Sequence, residues 1–169
     1  MTTGHIGGAT LWPYALSDAI AHSPHRSVVV ELLGPDAVLL DSPAARQQAL
    51  ERLVAVLKSV PFARFDAALA EVLAALDADV PPRDGEMPSW GDVRRLHRWG
   101  VEIGAHTVHH PILANADDAT AEAETVGSRD RIAAELGGRP WHFAYPNGGP
   151  AGFDGRDVAT VVAAGFSTP

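Results

Sequence analysis

At 169 residues, 46% of them hydrophobic and 20% charged, the chain has the length and composition of one globular domain with a sizeable core. A formal net charge of -8 leaves no basic footprint for nucleic acid or anionic lipid headgroups, so neither partner is expected. The lack of cysteine excludes disulfides, Cys-ligated zinc and thiol nucleophiles, and the single lysine, Lys58, falls in a helical pattern away from any glycine-rich turn, which argues against Schiff-base and P-loop chemistry.

In chain order, Met1 to Gly8 shows no basic segment followed by an apolar one, and no apolar stretch approaches membrane-spanning length. No export signal and no membrane insertion are expected, with a cytoplasmic location by default. Gly4 to Gly8 reads as irregular. Leu11 to Ala21 is compatible with a short helix that stops near Ser23-Pro24. Ser27 to Leu33 and Ala37 to Leu40 flank Gly34-Pro35-Asp36 and predict a β-hairpin. Ser42-Pro43 is a helix-start signal, and Leu50, Leu53, Val54 and Leu57 repeat at helical spacing up to Pro61. A second helix is predicted from Phe62 to about Leu76, with Phe65, Leu69, Val72, Leu73 and Leu76 on one face. Val80 to Gly85, rich in proline and glycine, is the best linker or boundary.

The second half is more regular. Ser89 and Asp92 form a capping-box-like pair at the start of a helix that Gly100 ends. Val101 to Ala105 is strand-like, Ala116 to Leu136 is a long helix closed by Gly137-Gly138, and Trp141 to Tyr145 is the next strand. Asp154 to Ala164 forms a last helix, and Phe166 begins a further strand. Helices alternating with strands indicate an α/β fold in which crossover-connected strands run parallel. If the strands 101–105 and 141–145 are neighbours, ~4.8 Å apart, then His106 to His110 and Pro146-Asn147-Gly148 share the carboxyl-end rim. Ligands and catalytic groups of such sheets gather there.

His106-Thr107-Val108-His109-His110-Pro111 carries the chemistry. Two imidazoles four residues apart suit a divalent metal. The helical His-x-x-x-His arrangement of zinc peptidases needs a glutamate after the first histidine, where Thr107 stands. Pro111 also disfavours helix at His110, so the pair belongs on a strand-end loop, with the Thr107 hydroxyl placed to fix it by hydrogen bonding. Surface histidines without function are the commoner reading of such spacing taken alone.

The run Gly100 to Leu113, the helix ending Glu135-Leu136-Gly137, and His142-Phe143-Ala144-Tyr145-Pro146-Asn147-Gly148 together resemble the NodB-homology domain of the polysaccharide deacetylases, carbohydrate esterase family 4. The resemblance covers roughly Pro88 to Phe166, and Thr2 to Gly8 is similar to a segment after the second barrel strand in one branch of that family. It implies a partial (β/α) barrel of one domain, with residues 1–87 contributing the hairpin and a mainly helical insertion, and 88–169 the motifs. It implies removal of N-acetyl groups from amino-sugar glycans at a divalent metal, zinc by preference. By position, His106 and His110 are the metal ligands and the Asn147 backbone N–H is the oxyanion donor.

There are also departures. The family's Thr-Phe-Asp-Asp motif supplies the general base and third ligand, and its late Leu-x-His motif supplies the general acid; neither occurs here, so a domain truncated at both ends is expected. Ala144 stands where the family often has arginine. Asp36, Asp41, Asp84 and Asp154 are candidate substitute ligands. The alternative to the enzyme is a non-catalytic remnant that keeps metal or glycan binding, and an incomplete barrel edge predicts self-association. His5, His22, His25 and His97 read as non-functional. His109 is expected to point away from the metal, His142 to be half-buried, and Trp90, Trp99 and Trp141 to pack in the core or rim. Trp12 is a candidate sugar platform, and Arg94, Arg95 and Arg98 form a solvated helix face.

Overall fold

The computed structural model describes residues 1–8, 10–81, 87–149 and 151–167. The contacts divide the chain into two compact units, Thr10–Arg83 and a second made of Met1–Ala9 with Asp84–Pro169. Of the linker predicted at Val80 to Gly85, residues 82–85 lie outside the described residues.

The first unit is helical around a small hairpin. It contains α1 (Trp12–His22), strands β1 (Ser27–Val28) and β2 (Val38–Leu39), α2 (Pro43–Leu57) and α3 (Phe62–Leu76). Proline at the first or second position starts α1 and α2, where its missing N–H costs nothing, and the Ser42 side chain accepts from Ala45 N–H to cap α2. The hairpin predicted over Ser27 to Leu40 forms as an antiparallel pair, but only two residues long on each side. Glu31–Leu33 turns into a single 3₁₀ turn instead of extending the strand. Helical periodicity then delivers the core: Leu16, Val30, Val38, Leu40, Leu53, Leu57, Val72 and Leu76 are all buried and belong to one apolar cluster. Trp12 joins that cluster, its ring edge-on to Phe65 at 5.3 Å. That corrects the expectation of a sugar platform, since a buried indole presents no face to a saccharide.

The second unit contains α4 (Trp90–Arg98), α5 (Asp118–Leu136) and α6 (Gly155–Ala163). Their starts follow the sequence signals. Ser89 and Asp92 form a full capping box on α4, Asp117 caps α5 through Thr120 N–H, and Asp154 with Asp157 boxes α6. Gly137, at φ 77°, closes α5 in the left-handed conformation that glycine adopts freely.

The strands expected in this unit are barely formed. Segments 101–105 and 141–145 meet in a single parallel bridge, Ala105 with Phe143, made by Ala105 N–H to His142 O (2.8 Å) and Ala144 N–H to Ala105 O (2.9 Å). A third segment follows, because Ser167 N–H donates to the Trp141 carbonyl at 2.8 Å. The direction and neighbours are those of a parallel α/β sheet, yet no ladder extends and no barrel is formed among the described residues. On the edge of 101–105 that faces away from 141–145, the amino terminus of Met1 donates to Gly104 O and the Thr2 hydroxyl to His106 O, so an irregular segment rather than a further strand lies there. Among the described residues no helix is long and apolar enough to cross a membrane.

Candidate metal centre

His106 follows the bridge directly, so the parallel contact sets where its ring begins. Its Nδ1–H donates to the Ala144 carbonyl at 2.6 Å, since a carbonyl only accepts. This bond ties the ring to the neighbouring segment and leaves Nε2 with its lone pair. Burial holds the His106 pKa below the ordinary imidazole range, against the opposing pull of the Ala144 carbonyl. The ring is therefore neutral at pH 7, the state in which imidazole ligates metals.

His110 packs edge-on to His106, with ring centroids 4.9 Å apart and planes at 73°. Two imidazoles bound through nitrogen to one tetrahedral zinc ion, each Zn–N near 2.1 Å, place their centroids about 5 Å apart. The spacing of the pair thus fits a shared ion. Among the described residues no third His, Asp or Glu joins them. Of the candidate substitutes, the Asp154 carboxylate is occupied capping α6, accepting from Arg156 N–H (2.8 Å) and Asp157 N–H (3.2 Å). Asp84 lies outside the described residues, and Asp36 and Asp41 belong to the helical unit.

The loop between the two rings is irregular and tightly held. Thr107 is fully buried and has φ 61°, and His110 has φ 62°, left-handed values that a β-branched residue adopts only under constraint. The Thr107 hydroxyl donates to His106 O (2.6 Å) and accepts from His110 N–H (3.1 Å), bracing the loop from inside. The N-terminal segment braces it from outside: Thr3 N–H donates to Thr107 O (3.1 Å) and Gly4 N–H to Val108 O (2.9 Å). Gly4 is required for that approach, because a Cβ there would sit 2.8 Å from the Val108 carbonyl oxygen.

Sequence reasoning missed Glu124. It lies on α5 with 5% exposure and accepts three hydrogen bonds from the loop, from Val108 N–H (2.9 Å), His109 N–H (2.8 Å) and His109 Nδ1–H (2.6 Å). The signal was available: Ala121, Thr125, Ser128 and Ile132 form the buried stripe of α5, and Glu124 falls on it. A carboxylate on a buried stripe demands donors. The His109 imidazole is engaged by this carboxylate.

Asn147 lies on the loop after the second segment, and its side-chain Nδ2 is enclosed with no hydrogen-bond partner among the described residues. The Tyr145 ring before it stacks on Phe153 at 3.9 Å and 10°. After the histidines, Arg156 fixes the chain by donating to Leu113 O (2.8 Å) and Ala116 O (2.7 Å) while paired with buried Asp157 at 2.9 Å. His142 is exposed and paired with Glu102 at 2.9 Å rather than half-buried. Trp99 and Trp141, expected in the core or rim, are exposed at 71% and 68%, so neither packs in the core.

Residues 41–166 match the family model for polysaccharide deacetylases. The chain belongs to the polysaccharide deacetylase family. The match spans most of the chain and reaches upstream of Pro88 to take in α2 and α3, the helices read from sequence as an insertion. Family membership makes the chain a deacetylase-type hydrolase by kinship, with a glycan as the class of substrate. No curated protein and no solved structure matches the chain.

Proposed function

We propose that the chain is a metal-dependent hydrolase that removes N-acetyl groups from amino-sugar polysaccharides or oligosaccharides. In this reading His106 and His110 hold a divalent ion, zinc by the chemistry of two neutral imidazoles, and the Asn147 backbone N–H stabilises the oxyanion. The observation that carries the reading is the His106 Nδ1–H bond to Ala144 O, which fixes the tautomer and leaves Nε2 as a ligand beside His110. A bound divalent ion supplies polarisation of the amide carbonyl and a water of lowered pKa.

The chain's own residues contribute position and electrostatics. The parallel bridge brings the His106 end of one segment beside the Tyr145 to Gly148 turn of the next, on the rim where substrate enters an α/β fold. The role of the Asn147 N–H in this reading is to stabilise charge that appears on the carbonyl oxygen as water adds. Hydrolysis breaks the C–N bond, leaving acetate and the free amine of the sugar.

The test is acetate release from an N-acetylglucosamine oligomer in the presence of added zinc. Turnover is expected for the chain and lost in a His106→Ala, His110→Ala double variant. Turnover no greater than that of the double variant overturns the reading for this chain. A second reading, metal or glycan binding without turnover, is favoured by the lack of a carboxylate beside the imidazole pair among the described residues. It predicts zinc uptake with no acetate released.

A further inference from the structure

We propose that Glu124 is a positioning residue for the imidazole pair, a buried carboxylate on α5 that sets the spacing of His106 and His110 by gripping the backbone between them. Its functional weight rests on the reading of those histidines as metal ligands. Glu124 touches neither ring of the pair. It acts through Val108 and His109, whose successive N–H groups both converge on Oε2 at 2.9 and 2.8 Å, while Oε1 takes the His109 Nδ1–H at 2.6 Å.

The placement of these bonds is what makes the effect specific. The gripped amides lie between Thr107 and His110, the two residues held at left-handed φ. Such residues are strained, so the loop keeps this shape only while its surroundings over-determine it. Thr107 supplies part of that constraint through its hydroxyl, which bonds to His106 and His110 themselves. Glu124 ties the same loop to a 19-residue helix, itself capped at Asp117 and closed at Gly137. Charge-assisted bonds to a carboxylate that is 5% exposed are stronger than bonds between neutral groups. The helix thus acts as the fixed reference against which the second imidazole is held 4.9 Å from the first.

The experiment compares the full chain with Glu124→Ala and with Ile132→Ala, a control on the same helix that removes a buried side chain with no bond to the loop. Zinc affinity is measured by competition with a chromophoric chelator, at a temperature where circular dichroism shows each protein folded. Glu124→Ala is expected to weaken zinc at least ~10-fold, and Ile132→Ala to stay within about twofold of the parent. An equal affinity in the parent and Glu124→Ala overturns the proposal, because a merely structural role lowers stability without changing affinity. Two readouts need neither metal nor a folded variant. In the parent protein, the Val108 and His109 amides are expected to be protected from hydrogen exchange, and the His106 and His110 rings to show a mutual nuclear Overhauser effect. Amides exchanging at open-loop rates, or rings showing no contact, overturn the positioning role. A parent that takes up no zinc yet shows protected amides and the ring contact overturns the metal reading and supports the positioning role.

Discussion

The two units of the chain solve the problem of holding a shape by opposite means. In the helical unit, Leu16, Leu53, Leu57, Val72 and Leu76 have no exposed surface, and apolar burial in regular helices does the work. In the motif-bearing unit the decisive segment is irregular backbone, held by Glu124, the Thr107 hydroxyl, the Ala144 carbonyl and the N-terminal residues 2–4. Burial is non-directional and tolerates small errors of placement. Hydrogen bonds are directional, and a pair of metal ligands needs direction more than it needs strength.

Three substitutions probe that contrast in order of effect. Leu53→Ala, at the centre of the helical core, is expected to cost about 2–5 kcal/mol, read as a shift of the urea midpoint. Zinc affinity of the folded protein should not change, since the bonds that hold the loop come from residues 2–4, 107, 124 and 144. Weakened zinc binding here would break the contrast. Thr107→Val keeps the shape of the side chain and removes only the hydroxyl. It leaves the His110 N–H without that acceptor and should cost about 1–3 kcal/mol, with reduced zinc affinity. A variant that loses stability but binds zinc like the parent would show the hydroxyl to be structural only. Asp154→Ala removes the cap of α6 and should cost about 1 kcal/mol in thermal unfolding, leaving the loop as it was.

The same contrast explains what the sequence made legible. Helices whose ends carry chemical punctuation were read nearly to the residue: Phe62–Leu76 as predicted, α4 by the Ser89/Asp92 pair, and α6 from Asp154 onward. Strands were less legible because their pattern describes burial, whereas a ladder also needs a regular neighbour on each edge. On the edge of 101–105 away from 141–145, the Gly104 and His106 carbonyls accept from the irregular segment at Met1 and Thr2. The histidine pair was legible through its spacing and its proline. Glu124 was not, because its partners lie 15 and 16 residues upstream in a loop with no period to read.

Ala144 carries one more consequence. The residue here carries only a methyl group, and it orients His106 through its main-chain carbonyl. The N–H of the same residue is spent on Ala105 O. Position 144 therefore acts through atoms that every amino acid shares. Proline alone lacks the N–H, so the remaining side chains are free to vary there without erasing the hold on the imidazole. A recognition rule written in residue names overlooks such a position, whereas one written in donors and acceptors finds it.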